Sequence, residues 1–217
     1  MTAPRLYSYW RSTAAYRVRI ALNLKGIDYQ IVPVHLVRGG GEQHMPAYLE
    51  INPQGLVPTF TDAHTTISQS TAICEYLEET HPEPVLLPGD AAGRARVRSL
   101  AQLVACDVHP LNNLRVLQYL TGVLGVDEAA KTAWYRHWVA CAFGALETRL
   151  AGDSRTGAFC HGDDPGLADV FLVPQIYNAE RFDCDMRPYP TLRKINASCL
   201  LLDPFRRAAP EAQPDAV

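Results

Sequence analysis

The chain has 217 residues, 47% of them hydrophobic and 20% charged, ample for the core of one large or two small domains. Its formal net charge is −3, basic and acidic residues are interspersed, and no basic run marks a nucleic-acid partner. No apolar stretch approaches the roughly 20 residues of a membrane helix, and Met1 to Arg11 lacks the basic-then-apolar layout of a secretory leader.

Residues 1–86 alternate strand-like and helix-like segments. Leu6 to Trp10 reads as a strand. Ser12 opens an amphipathic helix through Leu24, with Ala15, Val18 and Leu22 at spacings of three and four. Gly26 closes it as a C′ glycine. Tyr29 to Leu36 is a second strand interrupted by Pro33, followed by a polar loop, Arg38 to His44, and a short helical patch ending at Asn52-Pro53. Val57 to Phe60 and Thr66 to Ser68 flank the Asp62-Ala63-His64 turn as third and fourth strands, and Ser70 begins a helix to about Thr80. The order β-α-β-α-β-β-α suits a mixed sheet flanked by helices.

Pro82, Pro84 and Pro88 form the natural linker. From residue 92 to 217 the chain reads as helical. Val97, Leu100, Val104, Val108 and Leu111 step by three and four, as do Trp134, Trp138, Cys141 and Ala145. Leu167 to Tyr177 is a short apolar helix expected to be central, and Ala208 to Val217, rich in Ala and Pro, reads as a loose tail. The six cysteines form no CxxC pair; they read as small buried hydrophobes in a reducing cytosol, with no metal site expected.

Four places could carry chemistry. At Arg11-Ser12-Thr13 a strand ends and a helix begins, so free N–H groups and the helix dipole favour an anion there. A thiolate is such an anion, and Ser12 or Thr13 could donate to it and lower its pKa; equally, both are ordinary N-caps. In Asn52-Pro53-Gln54-Gly55-Leu56-Val57-Pro58, a cis Val57-Pro58 bond would turn the Val57 backbone outward to pair with a peptide-like ligand. Cis bonds are only about 5% of X–Pro bonds, so the segment alone favours trans. Gln69-Ser70 lies between a strand and a helix; Ser70 reads as an N-cap, or as a hydroxyl at a helix start that holds a ligand carboxylate. In His109-Pro110-Leu111-Asn112-Asn113-Leu114-Arg115, His109 and Asn113 fall one turn apart on a helix that Pro110 bends, either as the wall of a polar pocket or as a solvated stripe. Arg181 is a lone cation just beyond the Leu167 helix, of a kind that usually snorkels to water.

These signals occur together in the order of one family. The strings Ser12-Thr13-Ala14-Ala15-Tyr16-Arg17-Val18-Arg19, Asn52-Pro53 through Val57-Pro58, Gln69-Ser70-Thr71-Ala72, His109-Pro110-Leu111-Asn112-Asn113 and Leu167-Ala168-Asp169 through Val173-Pro174-Gln175 give a chain that resembles a zeta-class glutathione transferase over nearly its whole length. The resemblance implies an α/β thioredoxin-like N-terminal domain (1–86) that binds glutathione, an all-α C-terminal domain (92–217) that binds substrate, and a cytoplasmic homodimer. It implies a glutathione-dependent cis–trans isomerase acting on maleylacetoacetate, as in tyrosine catabolism, or on maleylpyruvate. Conjugation of small α-haloacids, or a non-catalytic binder, are the rival readings.

The implied roles follow the matched positions. Ser12 faces the glutathione sulfur, Val57 pairs its backbone with the cysteinyl unit beside a cis Pro58, and Gln69 and Ser70 hold the γ-glutamyl end. His44 contacts the glycine end, and His109 and Asn113 reach in from the helical wall. For the substrate carboxylates the candidates are Arg11 and Arg181, on chemical grounds and not by matching, because a guanidinium matches a carboxylate bidentately. Two positions depart from the pattern: Ala14 stands where many members place cysteine, and Gly166 where the family places Ser or Thr ahead of Leu-Ala-Asp, with Asp169 still facing the helix start.

Overall fold

A computed structural model describes residues 3–216. They form two compact units, the first comprising Met1–Val85 with Leu200–Val217 and the second Leu86–Cys199.

The first unit is built on a four-stranded mixed sheet of order β2-β1-β3-β4. Strand β1 (Arg5–Ser8) pairs parallel to β2 (Gln30–Pro33) and antiparallel to β3 (Thr59–Thr61), which pairs antiparallel to β4 (Thr66–Ser68). Helix α1 (Thr13–Leu24) crosses from β1 to β2, a short α2 (Pro46–Leu49) precedes β3, and α3 (Ser70–Thr80) follows β4. This is the expected thioredoxin-like arrangement. Gly26 adopts φ +65° just past the C-cap Lys25, a conformation a side chain would resist.

The expectation of an amphipathic α1 needs correction. Every residue from Thr13 to Leu22 is buried, Arg17 and Arg19 included. The outer face is covered because α1 packs against both α3 and α9 (Asp203–Ala208). The supposedly loose tail is therefore a structural part of the first unit, and the last residues do not belong with the helical one. Phe205 and Ala208 are fully buried. Asn23 Nδ2 donates to Pro204 O at 2.9 Å, and Gln213 Nε2 folds the chain end back by donating to Arg207 O at 2.9 Å and Ala209 O at 2.7 Å. Val217 lies outside the described residues.

The second unit is helical: α4 (Ala91–Gln102), α5 (Leu114–Gly122), α6 (Glu128–Ala151), α7 (Leu167–Arg181) and α8 (Pro190–Leu200). A π-helical turn, Leu103–Val108, extends α4 and closes with His109 N donating to Val104 O at 3.0 Å. The helix does not bend at Pro110 and continue; it ends, and a turn leads to Asn113, whose extended backbone (φ −65°, ψ 145°) caps α5. His109 and Asn113 consequently do not share a helix face. The wide π turn and a proline with no N–H to give leave the helix nothing to continue with.

Helix α7 is longer than its apolar run and keeps Pro174 inside it. Asp169, 1% exposed, accepts from Gly166 N through Oδ2 and from Cys160 N through Oδ1, each at 2.9 Å. This is the carboxylate half of a capping box, glycine having no side chain to supply the other half. Burial holds the Asp169 carboxyl above the usual range although both N–H donors pull the other way. Arg96 fastens the segment before α7, donating to Asp153 Oδ2 at 2.7 Å, Cys160 O at 2.7 Å and Thr156 Oγ1 at 2.9 Å. Asp169→Ala should lower unfolding stability by about 3 kcal/mol or more, since each buried N–H left without an acceptor costs about 1–3 kcal/mol. Urea unfolding of the variant against the native chain checks this.

Candidate active site

In the first unit the site begins at a tight turn, where Ser12 N donates to Tyr9 O at 2.9 Å. Ser12 Oγ accepts from Ala15 N at 3.2 Å and so caps α1. The cap uses a lone pair only, so the hydroxyl proton is left to donate to an anion at the positive end of the helix. Arg11 is exposed, and its guanidinium carbon stands 4.2 Å from the centroid of the buried Trp10 ring. Ala14 is buried and brings no thiol to the turn.

The Val57-Pro58 bond is cis, as the resemblance implied and the base rate did not. Val57 lies outside the β3–β4 ladder, whose register starts at Thr59. The loop before it is pinned: Leu56 O accepts from Asn52 Nδ2 at 2.8 Å and from Tyr48 Oη at 2.6 Å. Gly55 has φ +60°, and a Cβ there would lie 3.2 Å from Gln43 O and 3.3 Å from His44 Nδ1, so only glycine lets this loop close on His44. His44 itself is exposed at the end of a 3₁₀ turn.

Ser70 is not the cap of α3. It is the first residue of the helix, 6% exposed, and its Oγ accepts from Arg17 Nη1 at 3.2 Å. Gln69 occupies the cap position with φ +74°, unusual for a residue other than glycine. Its Nε2 donates to Gln54 Oε1 at 2.9 Å. Two bonds thus tie the predicted residues into one framework. Arg17 joins the helix that Ser12 caps to Ser70, and Gln54 joins the Val57 loop to Gln69. Neither Arg17 nor Gln54 was singled out from the sequence; a charge inside an otherwise apolar helix stretch was the available signal for Arg17.

The second unit carries the other expected residues. His109 is half-buried. Asn113 accepts from Arg115 N through Oδ1 at 3.1 Å, which leaves its Nδ2 as the free donor. Arg181 lies in the last turn of α7 rather than beyond it, exposed, with Nη1 donating to Asn178 Oδ1 at 3.1 Å. It flanks the Tyr177 and Phe182 rings at 6.0 and 5.7 Å, and Phe182 stacks on Tyr135 at 3.6 Å.

The buried thiols are ill suited to nucleophilic work. Burial pushes Cys74, in α3, up to about 12. Burial also raises Cys160 and Cys199. The cysteines are not uniformly buried, however: Cys106 and Cys141 are exposed and Cys184 half-exposed.

Residues 6–85 match the model of the glutathione S-transferase N-terminal domain. The chain is 53% identical to a probable maleylacetoacetate isomerase of Vibrio cholerae, over 97% of each chain. It superposes with a TM-score of 0.96 on the holo structure of a maleylpyruvate isomerase described as a bacterial zeta-class glutathione transferase, at 50% identity over 98% of this chain and 100% of that one. A maleylacetoacetate isomerase of Methylobacterium extorquens AM1, solved with malonate and glutathione, matches with a TM-score of 0.94 at 44% identity, covering 98% and 99%.

The strained backbone at Gln69 gives a test. Both Gln69→Ala and Gln69→Gly lose the bond to Gln54, but only glycine relaxes at positive φ, so the glycine variant should be the more stable by about 1–3 kcal/mol. Denaturant unfolding of the two variants measures the difference.

Proposed function

The chain belongs to the zeta class of the glutathione transferases, and we propose that it is a glutathione-dependent cis–trans isomerase of maleylacetoacetate. The observation that carries the reading is the donor state of Ser12, whose oxygen is used as the cap while its proton is not. The residues fit glutathione on three counts: a hydroxyl donor at the positive end of α1, a hydroxyl at the start of α3 with the Arg17 charge beneath it, and a Val57 backbone outside the sheet ladder.

Glutathione, when bound, supplies the thiolate that adds to the cis double bond and leaves once that bond has rotated. Ser12 and the N-terminus of α1 hold that sulfur in its anionic form. Gln69 and Ser70 hold the γ-glutamyl end, and the Val57 backbone the cysteinyl amide beside Pro58. His44 serves the glycine end, and His109 and the Nδ2 of Asn113 are the remaining glutathione contacts of the proposal. Arg11 and Arg181 bind the carboxylates of the diacid and steady the negative charge that develops next to them. The net charge of −3 offers no long-range attraction to a dianion, so local guanidinium groups must do the holding.

The likeness to the maleylpyruvate isomerase favours a second reading with the shorter diacid as substrate. Comparing kcat/KM for maleylacetone, as a stable maleylacetoacetate analogue, with that for maleylpyruvate decides between them. Turnover of a small α-haloacid with neither maleyl acid accepted would replace both with the transferase alternative.

A cytoplasmic homodimer belongs to the proposal. Six free cysteines suit a reducing compartment. We propose α3 and α4 as the elements of the interface, and light scattering at micromolar concentration should give twice the chain mass. Arg181→Ala should raise KM for the diacid about 10- to 100-fold, the equivalent of one lost charged hydrogen bond, and leave glutathione affinity near that of the native chain. Lysine should restore little, because it lacks the planar fork. Steady-state kinetics with maleylpyruvate measures both; an unaffected kcat/KM passes the role to another cation such as Arg115.

A further inference from the structure

The chain end is fastened to the turn before Ser12, where Trp10 is held at its N–H by the chain end and at its C=O by Arg19. Trp10 N donates to Asp215 Oδ2 at 3.0 Å. Trp10 O accepts from Arg19 Nη2 at 3.0 Å. Arg19 is fully buried; its Nε donates to Ala208 O at 2.9 Å and its Nη1 to Ser8 Oγ at 3.1 Å. One guanidinium therefore bonds the end of β1, the turn and α9 together. Ala216 packs against the cluster of Tyr9, Trp10, Val34, Tyr48 and Val57, which reaches the loop before Pro58.

We infer that Asp215 is a positioning residue for the isomerisation, acting through Trp10 to set the place of Arg11 and Ser12. The inference rests on the isomerase reading above. Arg11 and Ser12 directly follow the clamped residue, and Arg11 lies on the Trp10 ring. Arg11 is otherwise exposed, so the ring beneath it is what gives its guanidinium a preferred place. If the Trp10 peptide tilts, the ring tilts with it, and the cation moves relative to the helix N-terminus. The γ-glutamyl contacts at Gln69 and Ser70 lie on another element and should be indifferent to Asp215.

The test uses the full chain and three variants: Asp215→Ala, Asp215→Asn and Asn23→Ala. The last removes the bond to Pro204 O, loosening the same tail without touching Trp10. Asp215→Ala should lose about tenfold in kcat/KM for maleylpyruvate, the scale on which sub-ångström misplacement acts, with glutathione affinity kept. Asp215→Asn should recover most of the loss, since its amide oxygen still accepts from Trp10 N–H. Asn23→Ala should keep native kinetics. Exchange of the Trp10 amide proton, followed by NMR, should be fast only in Asp215→Ala. Native kinetics in Asp215→Ala, an equal loss in Asn23→Ala, or an Asn variant as impaired as the Ala one each overturns the inference. A native chain that turns over neither maleyl acid, yet protects its Trp10 amide, defeats the isomerase reading and with it a catalytic role for the clamp, while the clamp itself stands. An unprotected amide defeats the clamp.

Discussion

Two arginines sit on a helix that is buried on every side, and the hydrogen bonds they make tie the first unit together. A buried charge without partners is among the most expensive features a fold can carry. Arg19 meets the demand with backbone carbonyls and a serine hydroxyl from three separate segments. Arg17 donates to Ser70 at the start of α3. Each set of bonds also fixes a piece of the site: those of Arg19 set the turn before Ser12, and that of Arg17 sets the hydroxyl at the start of α3. Lysine could not replace Arg19, because a single ammonium cannot reach acceptors spread across β1, the turn and α9 with a rigid planar fork.

Local signals made most of the first unit legible. Strand β4 spans Thr66–Ser68 and α3 spans Ser70–Thr80, where turn residues and apolar spacing put them. Strand β2 came out shorter than its apolar run, and β1 ends at Ser8, since Tyr9 and Trp10 are buried outside the strand ladder. The reading failed where burial is imposed by a distant segment. Nothing in the spacing of Ala15, Val18 and Leu22 reveals that α9, some 180 residues away, covers the other face of α1. An Ala/Pro-rich tail looks disposable by composition, and only its hydrogen bonds to Trp10 and Arg19 show otherwise. Asn113 was read by helical period, but an asparagine after a Pro-containing turn is more at home as a cap.

The site itself was legible as a set of residue types and illegible as a set of states. Ser12 was read as cap or as thiolate donor; the geometry shows the cap and leaves the two readings compatible, because a hydroxyl can accept from a backbone N–H and donate its proton at once. Ser70 was read as a cap or as a hydroxyl for a ligand carboxylate; it lies one residue inside the helix and accepts from a buried guanidinium. Its neighbour Gln69 takes the unusual backbone, which no propensity scale assigns to glutamine.

The departure at Ala14 then has a consistent physical reading. A cysteine in that turn would place a second thiol at the same helix N-terminus, under the same dipole that stabilises the bound sulfur. Two anions sharing one positive helix end repel, and each raises the other's pKa. With alanine there, and with Cys74 held protonated by burial, the proposed reading leaves the dipole and the Ser12 proton to a single exogenous thiolate. The chain gives up a thiol of its own and keeps the whole electrostatic field of α1 for the one it binds.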